Sequence, residues 1–434
     1  MLKRFPPIAA DAAGLAAHQL TGLQWSVAHV FENSPFYRER LTASGVIPAD
    51  IRSIDDLARL PFTSADDLRE GYPFPLRSVP VEKLVRVHSS TGTTGKRKVL
   101  CYTQQDIDDW ANMFGRCYEM AGLTESDRVQ ICVGYGLWTA GIGFQLGCER
   151  FGALAIPIGP GNLELQTGLL VDLQTTVVCC TASMGLLLAE EVQKQGLRDR
   201  IAVRKVILGA ERSSATMLVK IRDALGAESV HDIPGLTELY GPGIGISCAH
   251  PEADGAIHYW ADYYILEIID PDTLRPVPPG EVGEMVVTSL RKEGAPLLRY
   301  RTRDLTRLVP GACPCGCTLP RHDRILGRSD DVVIFRGVNI HPGQIDELLV
   351  TIPGLGSEFQ VTLEHRSDGK DYMTIRVERA EATPSTADQR LAKAIMSTFK
   401  HKLLVSCEVE LLPYGELPRS ERKTRRMFDN RRFE

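Results

Sequence analysis

The chain has 434 residues, 43% of them hydrophobic and 24% charged, which is enough to bury a large core divided over two or three domains. A formal net charge of −5 excludes a polybasic surface for nucleic acid or anionic membranes. The apolar runs fall well short of the roughly 18 residues of a membrane span, a secretory leader is not expected, and eleven scattered cysteines point to a reducing cytoplasm rather than a disulfide framework.

Residues 15–33 have amphipathic helical spacing, after which Ser34-Pro35-Phe36-Tyr37 opens a proline-punctuated, loop-rich stretch to residue 81. Short strands are predicted at 85–88 and 98–102, making the segment between them a hairpin turn. A helix follows over 103–122, with Thr103 as its cap and Asp106 in its first turn. Apolar runs then alternate with helical stretches through 128–133, 141–151, 153–158, 169–173, 176–180, 184–195 and 205–208. That β-α-β rhythm favours a parallel sheet with helices on both faces.

Beyond residue 255 the pattern turns to strands, at 257–260, 264–270, 283–288 and 304–308, with Pro278-Pro279-Gly280 as a turn. Gly327-Arg328-Ser329-Asp330-Asp331 interrupts two apolar segments and has the character of a hinge. The last hundred residues alternate short strands and helices (341–350, 358–363, 372–378, 387–399), the rhythm of a small α+β domain. The expected architecture is α/β: a large N-terminal domain (1–328) with mixed and parallel sheets flanked by helices plus a β-rich subdomain, and a small C-terminal domain (329–434) joined near Asp330.

The most informative segment is Ser89-Ser90-Thr91-Gly92-Thr93-Thr94-Gly95-Lys96. Gly92 and Gly95 lack the Cβ atoms that would keep backbone from phosphate oxygens, and the hydroxyls and successive N–H groups offer donors to an anion. The spacing is not that of the common strand-to-helix phosphate loop. Four constellations follow it. Gly209-Ala210-Glu211 comes directly after an apolar strand, where α/β folds bind ligands. Gly235-Leu236-Thr237-Glu238 supplies a hydroxyl for phosphate and a carboxylate for a divalent metal. Tyr300-Arg301-Thr302-Arg303-Asp304 presents an acid suited to ribose hydroxyls, and Lys423 lies in a polar stretch near the C-terminus.

In order and spacing these motifs resemble the adenylate-forming superfamily of acyl-CoA synthetases, adenylation domains and luciferases. With Gly134-Tyr135-Gly136-Leu137, residues 300–305 and residues 327–342, the chain resembles the phenylacetate–CoA ligase family most closely. The resemblance implies that residues 89–96 hold the β- and γ-phosphates of ATP, that Thr237 touches the α-phosphate and that Glu238 coordinates Mg2+. Gly209, Ala210, Glu211, Asp232 and Ile233 would border the nucleotide, Asp304 would bind its ribose with Arg328 close by, and Lys423 would bridge carboxylate and α-phosphate. It further implies a mobile small domain hinged at Asp330, with Gly337 lining the coenzyme A tunnel, and a homodimer. Many relatives place an aromatic residue before Gly-Leu-Thr-Glu; here it is Pro234, so weaker nucleotide binding or a compensating aromatic nearby is expected.

Cys313-Pro314-Cys315-Gly316-Cys317 is a metal-type cluster without a downstream partner at zinc-finger spacing. The resemblance implies a structural Zn2+ held by Cys248, His258, Cys313 and Cys315, with Cys317 and His250 in reserve. It also sets Tyr135, Trp138, Gly209, Ala210, Pro234, Gly235 and Pro242 around the carboxylate substrate, and small residues facing aromatics suit a flat ring. The function expected is ATP-dependent activation of an aryl or arylacetic acid as acyl-adenylate, then transfer to CoA with release of AMP and pyrophosphate. Transfer to an amine or carrier protein, and a non-catalytic nucleotide-binding homologue, are the competing readings.

Overall fold

The computed structural model describes residues 2–9, 11–90, 96–211, 213, 215–250, 252–331, 333–336, 338–340, 342–418 and 426–431. At its centre is a parallel sheet of five strands, in the spatial order Leu154–Ile156, Arg128–Ile131, Val177–Thr181, Lys205–Gly209 and Ser229–Ile233. Val177–Thr181 and Lys205–Gly209 are buried at every position, as a sheet covered on both faces requires. Helices Ala140–Phe151, Leu163–Asp172, Ala182–Lys194 and Ala215–Leu225 make the crossovers. The strand order reverses beside Arg128–Ile131, and such a switch point opens a crevice at the carboxyl ends of the strands.

The expected hairpin is Arg86–Ser89 paired antiparallel with Val99–Tyr102. Thr103 caps helix Gln104–Met120: its hydroxyl accepts from Asp106 N, and the Asp106 carboxylate accepts from Thr103 N. Asp106 also accepts from the backbone of Glu293 and Gly294 at 2.7 and 2.9 Å, which ties this helix to the neighbouring β-rich region.

That region holds two antiparallel sheets. One runs Tyr264–Ile269, Gly283–Ser289, Tyr300–Thr306, Gly327–Arg328; the other runs Gly245–Ser247, Ile257–Tyr259, Arg321–His322, Leu308–Val309. The single strand expected over 304–308 is therefore divided between two sheets. The chain changes sheets at Arg307, where the Thr306 hydroxyl donates to Asp323 O at 2.7 Å and Asp323 N donates to Arg307 O. Nor is 327–331 a free linker throughout, because Gly327 and Arg328 pair with Leu305 and Asp304. The stretch expected to be loop-rich after residue 33 contains helix Pro35–Ala43, with Pro35 in the first turn, where its missing N–H costs nothing.

Strands Glu408–Leu412, Asp371–Arg379, Leu355–His365 and Met427–Asp429 form the last sheet, packed with helices Pro342–Val350 and Asp388–Lys402 around a separate core that includes Ile345, Phe359, Ile375, Ile395 and Phe399. Val350 packs against the core built around helix Ala182–Lys194, so the two bodies touch. No helix among the described residues is long and apolar enough to cross a membrane.

Candidate active site

The carboxyl ends of the parallel strands form one wall of the site. A Cβ on Gly209 would lie 2.7 Å from Ile233 O, so only glycine lets these two strand ends close up. Ala210 then takes a left-handed conformation (φ 67°), which costs a residue with a side chain about 1–2 kcal/mol. Beyond this turn the Glu211 carboxylate accepts from Ser183 N, at the start of the neighbouring helix, at 2.9 Å. Gly209's neighbours Ala210 and Glu211, with Asp232, Ile233, Pro234 and Gly235, border a cavity of about 270 Å³ closed on its far side by Met285, Asp304, Arg324 and Ile325. Burial pushes the Asp232 carboxyl up to about 6, against the pull of the Arg324 guanidinium 3.9 Å away.

No aromatic side chain is found among the described residues lining this cavity. Its apolar faces are aliphatic instead: Ile233, Ile244, Ile257, Met285, Ile325 and Leu326. A flat base would be held by dispersion and exclusion of water rather than by ring stacking.

Thr237 and Glu238 lie in the turn between Gly235–Leu236 and Gly241–Pro242. The Tyr102 hydroxyl is 3.1 Å from both Thr237 O and Tyr240 O, and Lys292 donates to Glu238 O and Leu239 O. Lys292 is fully buried against the rings of Tyr102 and Tyr240, and burial lowers its pKa to about 8. The Glu238 carboxylate receives Lys98 Nζ. Burial would push the Glu238 carboxyl up, but the Lys98 charge and hydrogen bond outweigh it and hold the pKa below the usual range. Neither Lys98 nor Lys292 was singled out in the sequence. Lys98 is only two residues beyond Lys96, which is exposed, and one step before the strand that carries Tyr102.

Three segments converge on that turn. Ser89 N donates to Leu137 O at 2.8 Å, Ser90 N donates to Lys98 O, and the Thr139 and Thr237 hydroxyls are 3.3 Å apart. The hydroxyl-rich hairpin, the 134–139 turn and the Gly-Leu-Thr-Glu segment are thus joined. Tyr135 packs against Gly141, whose added Cβ would lie 2.6 Å from the ring, and its buried hydroxyl has no hydrogen-bond partner among the described residues. Trp138 borders Gly134, and Gly235 lies against Pro242, leaving 2.9 Å between an added Cβ and Pro242 Cα. Thr91, Gly92, Thr93, Thr94, Gly95, Gly337 and Lys423 lie outside the described residues.

Asp304 is 3.5 Å from Arg328, whose guanidinium also grips Asp330 in a bidentate pair at 2.8 and 2.9 Å. Burial disfavours the Arg328 cation, but Asp330, Asp304 and Asp331 outweigh it and raise the pKa. The ribose candidate and the hinge candidate therefore share one arginine. Outside the residues that line this cavity, Cys248, His258, Cys313 and Cys315 bring four ligand atoms within 4.8 Å of one another. Cys248 Sγ is 3.7 Å from Cys313 Sγ, and Cys315 Sγ is 3.4 Å from His258 Nε2. Cys317 stays beside the cluster, its N–H donating to Cys315 Sγ.

Residues 36–290 match the AMP-binding enzyme family model, and residues 337–431 match the AMP-binding enzyme C-terminal domain. The chain is 40% identical to a phenylacetate-coenzyme A ligase of Pseudomonas putida, across 98% of this chain and 96% of that one. It is also 40% identical to a phenylacetate-coenzyme A ligase of Escherichia coli, across 96% and 95% of the two chains. Its structure superposes on a 2-hydroxyisobutyryl-CoA ligase in the postadenylation state with 2-HIB-AMP, at a TM-score of 0.89 and 26% identity, covering 98% of this chain and 91% of that one. Against the same ligase with 2-HIB-AMP and CoA in the thioesterification state, the TM-score is 0.72, over 99% and 92%. A family model spanning more than half the chain and this identity over nearly its whole length place the chain in the phenylacetate–CoA ligase family of adenylate-forming enzymes.

Proposed function

We propose that this AMP-forming acid–CoA ligase acts on an arylacetic acid, phenylacetate first, and serves its two half-reactions with two orientations of a small domain (329–434) against a large one (1–328), turning at Asp330. The observation that carries the reading is the Thr237–Glu238 turn: it follows Gly235 and Leu236 on the cavity wall, its Thr237 hydroxyl meets Thr139, and its buried Glu238 carboxylate is held ionised by Lys98. The aromatic acid is supported by the 40% identity to two phenylacetate-coenzyme A ligases, against 26% to a ligase of a short hydroxy acid.

In the first step a substrate carboxylate oxygen attacks the α-phosphorus of ATP and the bond to pyrophosphate breaks. Like charges oppose the attack, so fixed donors and cations must supply the stabilisation. Ser89–Lys96 donate to the β- and γ-phosphates, Thr237 to the α-phosphate, and Asp304 accepts from the ribose hydroxyls. Lys98 keeps Glu238 ionised and so fit to hold Mg2+, which would neutralise phosphate charge. Lys423 supplies the cation at the reacting oxygens. In the second step the CoA sulfur attacks the acyl carbon, the C–O bond to AMP breaks, and Gly337 lines the thiol's approach. The higher TM-score against the postadenylation state supports the present orientation as the adenylating one.

The cysteine cluster suits a structural Zn2+. A tetrahedron with Zn–S of about 2.3 Å has S···S edges of about 3.8 Å, and S···N edges of about 3.6 Å with Zn–N near 2.0–2.1 Å. The two separations of 3.7 and 3.4 Å are close to these, and burial keeps His258 neutral with its pKa lowered to about 4. Four protein ligands leave no position for substrate, so the role is structural.

Three measurements test this reading. Pyrophosphate release and thioester formation, followed over a panel of aryl, arylacetic and short hydroxy acids with and without CoA, are expected to be strongest for phenylacetate and to yield phenylacetyl-CoA. Release that ignores CoA would shift the acceptor to an amine or carrier protein, and a preference for 2-hydroxyisobutyrate would overturn the aromatic reading. In Lys98→Met the burial of Glu238 loses its largest opposing influence and the pKa rises, so the acid limb of the pyrophosphate-release profile should move to higher pH; an unmoved limb would remove Lys98 from this role. Elemental analysis of the purified protein should find about one zinc per chain, and Cys313→Ser should lose that zinc and melt at lower temperature. A metal-free protein of unchanged stability would refute the zinc site.

A further inference from the structure

We propose that Arg426 is a positioning residue for adenylation: it latches the C-terminal body to the nucleotide wall through the hydroxyl of Ser183, and the latch must open for thioester formation. The inference rests on the two-orientation reading above.

The backbone of Arg426 belongs to the C-terminal sheet. Its carbonyl accepts from Val361 N at 2.7 Å, and strand Met427–Asp429 follows directly, parallel to Leu355–His365. Its guanidinium is anchored on the same side by Asp346 at 2.7 Å, by Glu358 at 3.4 Å and by the ring of Phe359. The remaining contact crosses to the other body, where Nη2 donates to Ser183 Oγ at 3.1 Å. Ser183 is the second residue of helix Ala182–Lys194, and its N–H donates to Glu211. Glu211 and Ala210 line the nucleotide cavity and also a second cavity of about 310 Å³, shared by Arg426, Asp346 and Asp304. One chain of bonds therefore runs from the C-terminal sheet to the lip of the nucleotide site.

The bonds are unequal, and that inequality makes a latch. Both carboxylates that accept its hydrogen bonds move with Arg426, whereas across the boundary its hydrogen bond among the described residues goes to a neutral hydroxyl, with the Glu211 carboxylate close enough to attract the cation. Rotation of the small body breaks the Arg426–Ser183 bond and draws the cation away from Glu211, while Asp346 and Glu358 stay paired with it. Other polar contacts between the bodies are different in kind: Lys194–Glu381 is about half exposed on both sides and open to salt screening, and Ser357–Glu190 spans 3.4 Å away from the cavity lip. Lys423, the lysine assigned to adenylation, precedes Arg426 by three residues in sequence, so the orientation that Arg426 favours is the one adenylation uses.

The test separates the half-reactions. Ser183→Ala removes the crossing bond and keeps both the Ser183 backbone donor to Glu211 and the ion pairs of Arg426. Adenylation is read as single-turnover pyrophosphate release, and thioester formation from synthetic phenylacetyl-AMP with CoA. Loss of a hydrogen bond to a charged group predicts that Ser183→Ala slows adenylation about tenfold, with thioester formation unchanged or faster. Arg426→Lys, which keeps the charge, should retain more adenylation than Arg426→Met. Equal loss in both half-reactions, or no loss in Ser183→Ala, would overturn the latch. A wild-type enzyme that makes no thioester from phenylacetyl-AMP would instead overturn the proposed function.

Discussion

Four consecutive backbone carbonyls, from Thr237 to Tyr240, face two buried side-chain donors, one of them a hydroxyl whose single proton the outer two share, and the active site depends on this arrangement. Tyr102 serves the first and last, and Lys292 the middle two. A carbonyl buried without a partner costs about 1–3 kcal/mol, so a tight turn could not hold this shape in the core unaided. The turn is what presents the Thr237 hydroxyl to the 134–139 segment and the Glu238 carboxylate to Lys98. Because Tyr102 stands at the end of the hydroxyl-rich hairpin and Lys292 follows strand Gly283–Ser289, the same bonds fasten three separate regions of the sequence together. The rigidity of the carboxylate is a property of that fastening rather than of the turn itself.

The parallel sheet supplies the other constraint. Its carboxyl ends can form one continuous wall only if neighbouring strands approach closely, and Gly209 against Ile233 O is where they do. Everything the nucleotide would meet on that side, from Ala210 to Leu236, is delivered by two adjacent strand ends. The opposite side comes from the β-rich region through Asp304 and Arg324, and the C-terminal body closes over the second cavity. Arg328 links these parts, since it pairs with both Asp304 and Asp330. A change at Asp330, the proposed hinge, would therefore be felt electrostatically at the acid expected to hold the ribose.

Much of this was legible in the residues. The hairpin at 86–102, the capped helix after it, the alternation of strands and helices and the small terminal α+β body all follow from periodicity and capping residues, which are local signals. The metal character of Cys313–Cys317 was legible in its spacing, whereas the partners Cys248 and His258 came from the family resemblance, and the four ligand atoms do come together. What escaped was set by long-range pairing. The strand Ser229–Ile233 has His231 and Asp232 on it and lacks an apolar run; it is a strand because it pairs with Lys205–Gly209, and His231 is buried with its Nδ1 3.1 Å from Ser247 O. The division of 304–308 between two sheets, the partnership of Lys98 with Glu238, the burial of Lys292 and the reach of Arg426 to Ser183 all depend on residues distant in the chain, and spacing along it carries no signal of them. The aliphatic nucleotide cavity belongs in the same class, since Pro234 suggested a missing ring but not the isoleucines that surround it.

The central claim is that a substrate carboxylate oxygen attacks the α-phosphorus of ATP beside Thr237 and Glu238. The most direct test is oxygen transfer. Phenylacetate labelled with oxygen-18 in both carboxylate positions is turned over with unlabelled ATP, magnesium and CoA, and the phosphorus products are read by mass spectrometry. The account predicts one labelled oxygen in each AMP formed and unlabelled pyrophosphate. Label in inorganic phosphate with ADP as the nucleotide product would mean attack at the γ-phosphorus through an acyl phosphate, and would contradict it.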